Sequence, residues 1–150
     1  MEWKLKTFQN LTIEEFYEIA RLRINIFIVE QNCPYSELDG KDTLALHFFA
    51  VANDQPLKIA AYTRLFKAGD YYENAAIGRV VVDADFRNKK LGHELIKRSI
   101  EQIENNFFTS KIKIGAQAHL KKFYEAHGFI QTGTGYLEDG IPHIYMVREG

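Results

Sequence analysis

The chain has a single cysteine, Cys33, so no internal disulfide can form and a reducing compartment is the expectation. No apolar run approaches the ~20 residues of a membrane-spanning helix. The start, Met1-Glu2-Trp3-Lys4, lacks the apolar stretch of a secretory leader. There is no excess of one charge: 19 Lys and Arg stand against 20 Asp and Glu, a formal net charge of -1. Generic nucleic-acid and anionic-membrane binders carry a basic excess, so neither kind of partner is expected. Internal repeats, low-complexity tracts and linkers are also missing. What remains is a globular composition, 46% hydrophobic over 150 residues. That length buries ~70% of the unfolded surface without staples. A cytoplasmic protein with one domain over residues 1–150 is the natural expectation.

The pattern is mixed. Residues 3–8 alternate as a strand. Thr12-Ile13-Glu14-Glu15 is a capping box that opens a helix. Ile13, Phe16, Tyr17, Ala20, Ile24 and Phe27 mark its apolar stripe, which leaves Arg21 and Arg23 on the solvated face. Residues 27–42 change character: Pro34 cannot sit inside a helix, and Asp39-Gly40 favours a turn. This long loop carries Glu30, Glu37, Asp39 and Asp42. It reads either as a solvated acidic loop or as one wall of a pocket for a cationic amine. Residues 47–52 and 58–66 form a hairpin around Asn53-Asp54-Gln55-Pro56. Residues 75–82 are the next strand, paired antiparallel to 58–66.

The stretch from Ile77 to Gly92 organises the rest. Val80, Val81 and Val82 suit a buried strand. From Leu91 the period changes, and Leu91, Leu95, Ile96, Ile100, Ile103 and Phe107 line one face of a long helix. Between them a basic turn leads into the helix N-terminus, whose unpaired N–H groups suit phosphate. Arg87, Lys89 and Lys90 add positive charge, and Gly92 lets the backbone come close to a ligand. The turn is neither a P-loop nor a dinucleotide fingerprint. After a half-exposed strand over 111–116, Leu120, Phe123, Tyr124 and His127 share a face of a short helix. Gly128 is placed to end that helix in the left-handed conformation, before a strand that starts at Phe129. A final hairpin turns at Glu138-Asp139-Gly140.

Two of these segments resemble the Gcn5-related N-acetyltransferase (GNAT) superfamily. Arg87-Asn88-Lys89-Lys90-Leu91-Gly92 is similar to its Gln/Arg-x-x-Gly-x-Gly/Ala signature, whose amides hold the pyrophosphate of acetyl-coenzyme A. Lys90 stands where the first glycine is usual, which either narrows the freedom of the loop or supplies an extra cation. Phe123-Tyr124-Glu125-Ala126-His127-Gly128-Phe129 is similar to the Tyr-Glu-x-x-Gly-Phe segment, whose tyrosine points at the coenzyme A sulfur in many members. Further likeness at residues 27–35, 39–42 and 138–143 is to the ElaA-like branch.

The resemblance implies an α/β (α+β) fold. Its core is a central mixed, mostly antiparallel twisted sheet of six to seven strands flanked by helices and splayed between the fourth and fifth strands. It implies acetyl-coenzyme A as co-substrate, no metal, and an acetyl transfer to a primary amine by direct attack on the thioester. The co-substrate would be held by backbone of Val80, Val81 and Val82, by Arg87, Asn88, Lys89, Lys90, Leu91 and Gly92, by Gln117 and by Tyr124. Tyr124 would be the general acid to the thiolate. The general base stays open among Glu30, His47, His119 and His143. Glu138, Asp139 and His143 would help to choose the amine, whose identity the sequence does not give. Exposed strands near the C-terminus leave room for a homodimer. The alternative is a non-catalytic acyl-coenzyme A sensor or scaffold.

Overall fold

In a computed structural model the chain forms one seven-stranded sheet with helices on both faces. The structure describes all residues except Pro56, together with the backbone but not the side chains of Asn88 and Lys89. The strands are β1 (Glu2–Thr7), β2 (Leu46–Val51), β3 (Ile59–Phe66), β4 (Ala75–Val82), β5 (Ile112–Gln117), β6 (Phe129–Glu138) and β7 (Ile141–Arg148). Their order is β1-β2-β3-β4-β5-β7-β6. All neighbours are antiparallel except β4 and β5, as the resemblance implied.

Alternation along the central strands divides the core. Phe48 and Ala50 of β2 face α2 (Leu91–Phe107), with Leu95, Ile96, Ile100 and Ile103. Phe49 and Val51 face α1 (Ile13–Ile24), with Ile19 and Leu22. Period-two side chains on one strand thus supply both layers. The short helix α3 (Lys121–Glu125) joins the α2 layer through Tyr124 and Phe123. The β6–β7 hairpin closes on Asp139-Gly140, both at positive φ (50° and 79°), as a tight two-residue turn requires.

The first helix departs from its expected face. The capping box is present: Thr12 accepts from Glu15 N–H at 3.0 Å, and Glu15 accepts from Thr12 N–H at 2.9 Å. Yet the buried residues are Glu15, Ile19, Leu22 and Arg23, while Ile13, Tyr17 and Ile24 are exposed. The expectation of a solvated Arg23 is wrong because the helix buries charge that is matched from elsewhere. Glu15 takes a bidentate contact from Lys6 Nζ (2.8 and 2.9 Å), and Arg23 is held by Glu37 and Asp42. A polar residue on the buried face rotates the apparent stripe. Beyond Ile24 the chain winds on as a π-helical segment, Asn25–Glu30, with Gln31 N–H reaching the Ile26 carbonyl. The helical part of the expected loop ends at Glu30, which is exposed and lines the cleft.

The sheet is open where β4 and β5 meet. Their parallel pairing consists of Ala75 with Ile112 and Ala76 with Lys113. Beyond that the strands part, although β4 runs on to Val82 and β5 to Gln117. The backbone of β4 that faces β5 from Ile77 onward is thus left without a strand partner on that side, and it lines a cleft.

Candidate active site

Strand β4 is bulged just where it leaves β5. Arg64 pairs with Gly78 and Tyr62 with Val81, so Arg79 and Val80 together oppose Thr63. Arg79 takes a φ of 50°, a left-handed conformation that is unfavourable for a side chain of its size. Its guanidinium is tied down, with Nε donating to Glu37 Oε2 at 2.9 Å and an Nη to the Glu37 carbonyl at 3.2 Å. Val80 of the bulge and Val81, which follows it, line the opening. The Val81 side chain packs with the α1 layer, whereas Val80 and Val82 pack toward α2. Their side chains build the core, and the backbone is what they offer to the cleft.

After Val82 the chain makes a 3-10 turn over Ala84–Lys89 and then turns sharply into α2. Lys90 carries that turn at φ 57°, ψ 18°. It adopts the conformation that glycine takes most easily, so the missing glycine has not closed the loop; the conformation costs a non-glycine residue ~1–2 kcal/mol. Among the described residues no side chain caps this end of α2, and its first-turn N–H groups suit an anion. Leu91 is buried under the turn and contributes packing, and Lys90 is exposed; neither lines the cleft. Gly92 does line it, and a Cβ there would meet the Phe123 ring at 3.5 Å. The expected contributions of the Asn88 and Lys89 side chains lie outside the described residues.

Arg87 is not free. It makes a bidentate ion pair with Glu30 (2.5 and 2.7 Å), which crosses from the end of the π-helical segment to the basic turn. The Arg87 hydrogen bonds hold the Glu30 carboxyl below its ordinary pKa, which makes it a poor base.

Gln117 ends β5 inside the cleft and donates to Gln31 Oε1 at 3.2 Å. Tyr124 is 5% exposed, packed edge-on against Phe123 and Phe129, and faces the same cleft. Its hydroxyl has no hydrogen-bond partner among the described residues, and burial raises its pKa well above that of a free phenol. His119 also lines the cleft. His143, on β7, donates from Nδ1 to the Ile141 carbonyl at 2.7 Å. A carbonyl can only accept, so the neutral ring keeps its lone pair on Nε2, which lies 3.4 Å from Glu138 Oε2. His47 is placed elsewhere. It is fully buried between the Tyr62 hydroxyl (2.6 Å) and the Asp42 carbonyl (2.9 Å), outside the cleft lining, and burial lowers its pKa. As a base it has no access to substrate.

The acidic loop is neither solvated nor an open acidic wall. Glu37, Asp39 and Asp42 are matched by three arginines that the sequence reading did not connect with them: Arg23, Arg64 and Arg79. Arg64 donates to both Asp39 oxygens (2.9 and 2.6 Å) and to Asp42 (3.1 Å). Burial alone would raise the Asp39 and Asp42 carboxyls, but the arginine hydrogen bonds outweigh it and hold both below the usual carboxylate range. The network ties Glu37, Asp39 and Asp42 to α1 through Arg23, to β3 through Arg64 and to the bulge through Arg79. Partners 14 to 42 residues apart leave no local pattern in the sequence that could have announced the network.

The resulting cleft is about 770 Å³. Along it lie Glu30 and Arg87, then Val80 to Val82 and Gly92, Gln117 with Tyr124, and the His143–Glu138 pair. Among the described residues no three His, Cys, Asp or Glu side chains converge as a metal cage. Nor is any helix among them long and apolar enough to cross a membrane.

A splayed parallel pair, a bulged strand that feeds an uncapped helix start, and a tyrosine facing the gap define an acyltransferase fold. The chain belongs to the GNAT family: its acetyltransferase (GNAT) domain model matches residues 28–149. Protein ElaA of Escherichia coli K12 is 38% identical over 99% of this chain and 97% of its own. The crystal structure of E. coli ElaA superposes with a TM-score of 0.90 at 37% identity, over 99% of this chain and 100% of that one. An acyl-CoA N-acyltransferase from Pseudomonas aeruginosa gives 0.91 at 37% identity, over 99% of both chains. A GNAT acetyltransferase from Elizabethkingia anophelis, solved with acetyl-CoA bound, shares the fold at 18% identity and a TM-score of 0.69, over 99% of this chain and 97% of that one.

Proposed function

We propose that the chain is a single-domain N-acetyltransferase that moves the acetyl group of acetyl-coenzyme A to a primary amine. One observation carries this reading: Val80 to Val82 of β4, Gly92 in the first turn of α2 and Tyr124 all line one cleft. The N–H groups at the start of α2 suit the pyrophosphate, and the unpaired β4 edge suits an amide-containing arm laid beside it as an extra strand. The fold relative solved with acetyl-CoA supports that choice of co-substrate.

His143 is the base. An alkylammonium with a pKa near ~10.4 must lose a proton before it attacks. The Nε2 lone pair, beside Glu138, accepts it and Glu138 then stabilises the imidazolium. The amine nitrogen bonds to the thioester carbon, and backbone N–H groups of the bulge stabilise the developing oxyanion. The C–S bond breaks, Tyr124 gives its hydroxyl proton to the thiolate, and the second proton of the acylated nitrogen leaves and restores the Tyr124 hydroxyl. Burial keeps the Tyr124 hydroxyl protonated at rest.

The test combines calorimetry with thiol release. Acetyl-coenzyme A should bind wild type and Tyr124→Phe equally, while Tyr124→Phe loses ~10²-fold or more in kcat. Equal rates would remove Tyr124 from the reaction. Binding without turnover across a broad amine panel would favour a sensor instead.

A further inference from the structure

Below the main cleft, at the root of the splay, lies a polar side chamber of about 60 Å³. Its origin is legible in the register. The last β4–β5 pair is Ala76 with Lys113, and two residues further along each strand stand Gly78 and Gly115. Both glycines line the chamber and the cleft, so the parting strands open there with no side chain between them.

Each glycine faces hydrogen-bonding groups. A Cβ on Gly115 would lie 2.7 Å from the Tyr136 hydroxyl and 2.9 Å from the Tyr72 hydroxyl, so glycine is what lets the two hydroxyls converge. A Cβ on Gly78 would lie 3.7 Å from Arg64 Nε. That nitrogen is fully buried and has no hydrogen-bond partner among the described residues, although both Nη groups of Arg64 are bound to carboxylates. A buried N–H left unpaired costs ~1–3 kcal/mol, so it needs an oxygen to receive it. Glu138 completes the wall and also faces His143.

We infer that this chamber is an acceptor subsite for a neutral oxygen carried by the amine substrate, close to its nitrogen. The inference rests on the acetyltransferase reading and names the substrate class. Arg64 Nε–H donates to that oxygen, and the Tyr72 and Tyr136 hydroxyls can do the same. The ammonium group meets Glu138 and His143 at the mouth. A free carboxylate fits poorly: the arginine charges are already matched by Asp39, Asp42 and Glu37, and Glu138 repels a second anion. The substrate class is therefore an amine next to an amide carbonyl, as in an α-amino amide, rather than a plain alkylamine or a free amino acid. The volume suits one small polar group, since a water occupies ~10–15 Å³ on this measure.

The test uses glycinamide and propylamine as acceptors with acetyl-coenzyme A, with rates compared per unit of unprotonated amine. The variants are Tyr72→Phe/Tyr136→Phe, which removes two donors, and Gly115→Ala, which fills the space. Both should lower kcat/KM for glycinamide ten-fold or more, and the double tyrosine variant, which leaves the main cleft lining intact, should keep propylamine within two-fold. A crystal structure with coenzyme A and glycinamide should put the carbonyl oxygen within hydrogen-bond distance of Arg64 Nε. The inference is overturned if the variants affect both amines equally or neither, or if the amide oxygen lies outside the chamber. If neither amine is turned over but coenzyme A binds, the acetyltransferase reading itself fails, and the chamber assignment falls with it.

Discussion

Arg23 Nη1 donates to Asp42 Oδ1 at 2.7 Å, inside the protein, with the arginine fully buried. The same arginine holds Glu37 through Nε, and Glu37 in turn holds Arg79 at the bulge of β4. A helix that carries no cleft residue before its π-helical extension thus fixes the strand that would hold the acyl group. Three arginines face three carboxylates, so the cluster is neutral as a whole, and each member depends on the others.

Arg23→Met should therefore be severe. It leaves Glu37 and Asp42 buried with a missing partner, and breaking one side of a buried pair costs ~3–5 kcal/mol. Urea denaturation should show a midpoint lowered to match. A loss under ~1 kcal/mol would mean that the loop relaxes to let water in.

Acid should weaken the fold in two stages. His47 is held neutral by burial, so its folded pKa lies below the ordinary ~6.5. Its contribution is present above that value and is lost as pH falls below it. Asp39 and Asp42 have lowered pKa values, so their contribution is present above ~4 and is lost on further acidification. Denaturation between pH 7 and 5 should show falling stability in wild type and a flatter slope in His47→Gln. Part of the slope will stay, because burial and His93 lower the pKa of His127 as well. An unchanged slope in His47→Gln would show that His47 does not titrate in this range.

Lys90→Gly separates backbone from charge. Glycine takes the positive φ of 57° without strain, so thermal unfolding should shift up, by no more than ~1 kcal/mol in stability after the extra freedom of the unfolded chain is counted. Coenzyme A binding should weaken at low salt if the ammonium attracts a phosphate, with a difference that shrinks as salt rises. Identical affinity in both proteins at low salt would show that the lysine only stands in for a glycine.

Glu30→Gln tests two roles at once. If Glu30 serves to hold Arg87, the amide releases the guanidinium to a phosphate, and the Kd for coenzyme A should fall several-fold with kcat nearly unchanged. If Glu30 were the general base, kcat would collapse instead. Isothermal titration together with initial rates distinguishes the two.

Much of this was legible in the residues. The bounds of β4 and the long face of α2 follow from β-branched runs and a 3.6-residue period. The glycine after His127 and the Asp139-Gly140 turn announce themselves because few residues tolerate those angles. The two motifs on either side of β5 pointed to the family before any coordinate. What failed was the reading of charge. Arg23 read as a solvated residue and residues 27–42 as an acidic loop, because a local pattern carries no information about a partner on another element.

The sequence by itself determined the elements, their order and the family, since those rest on periodicity, turn chemistry and short motifs. Only the tertiary structure decided which charges are spent inside the protein and which face the cleft. It withdrew His47, paired Glu30 with Arg87, and brought Gly78 and Gly115 to the same step of two parting strands. The physical reason is that burial and pairing are set by distance in space, and residues dozens of positions apart meet only once the sheet has closed.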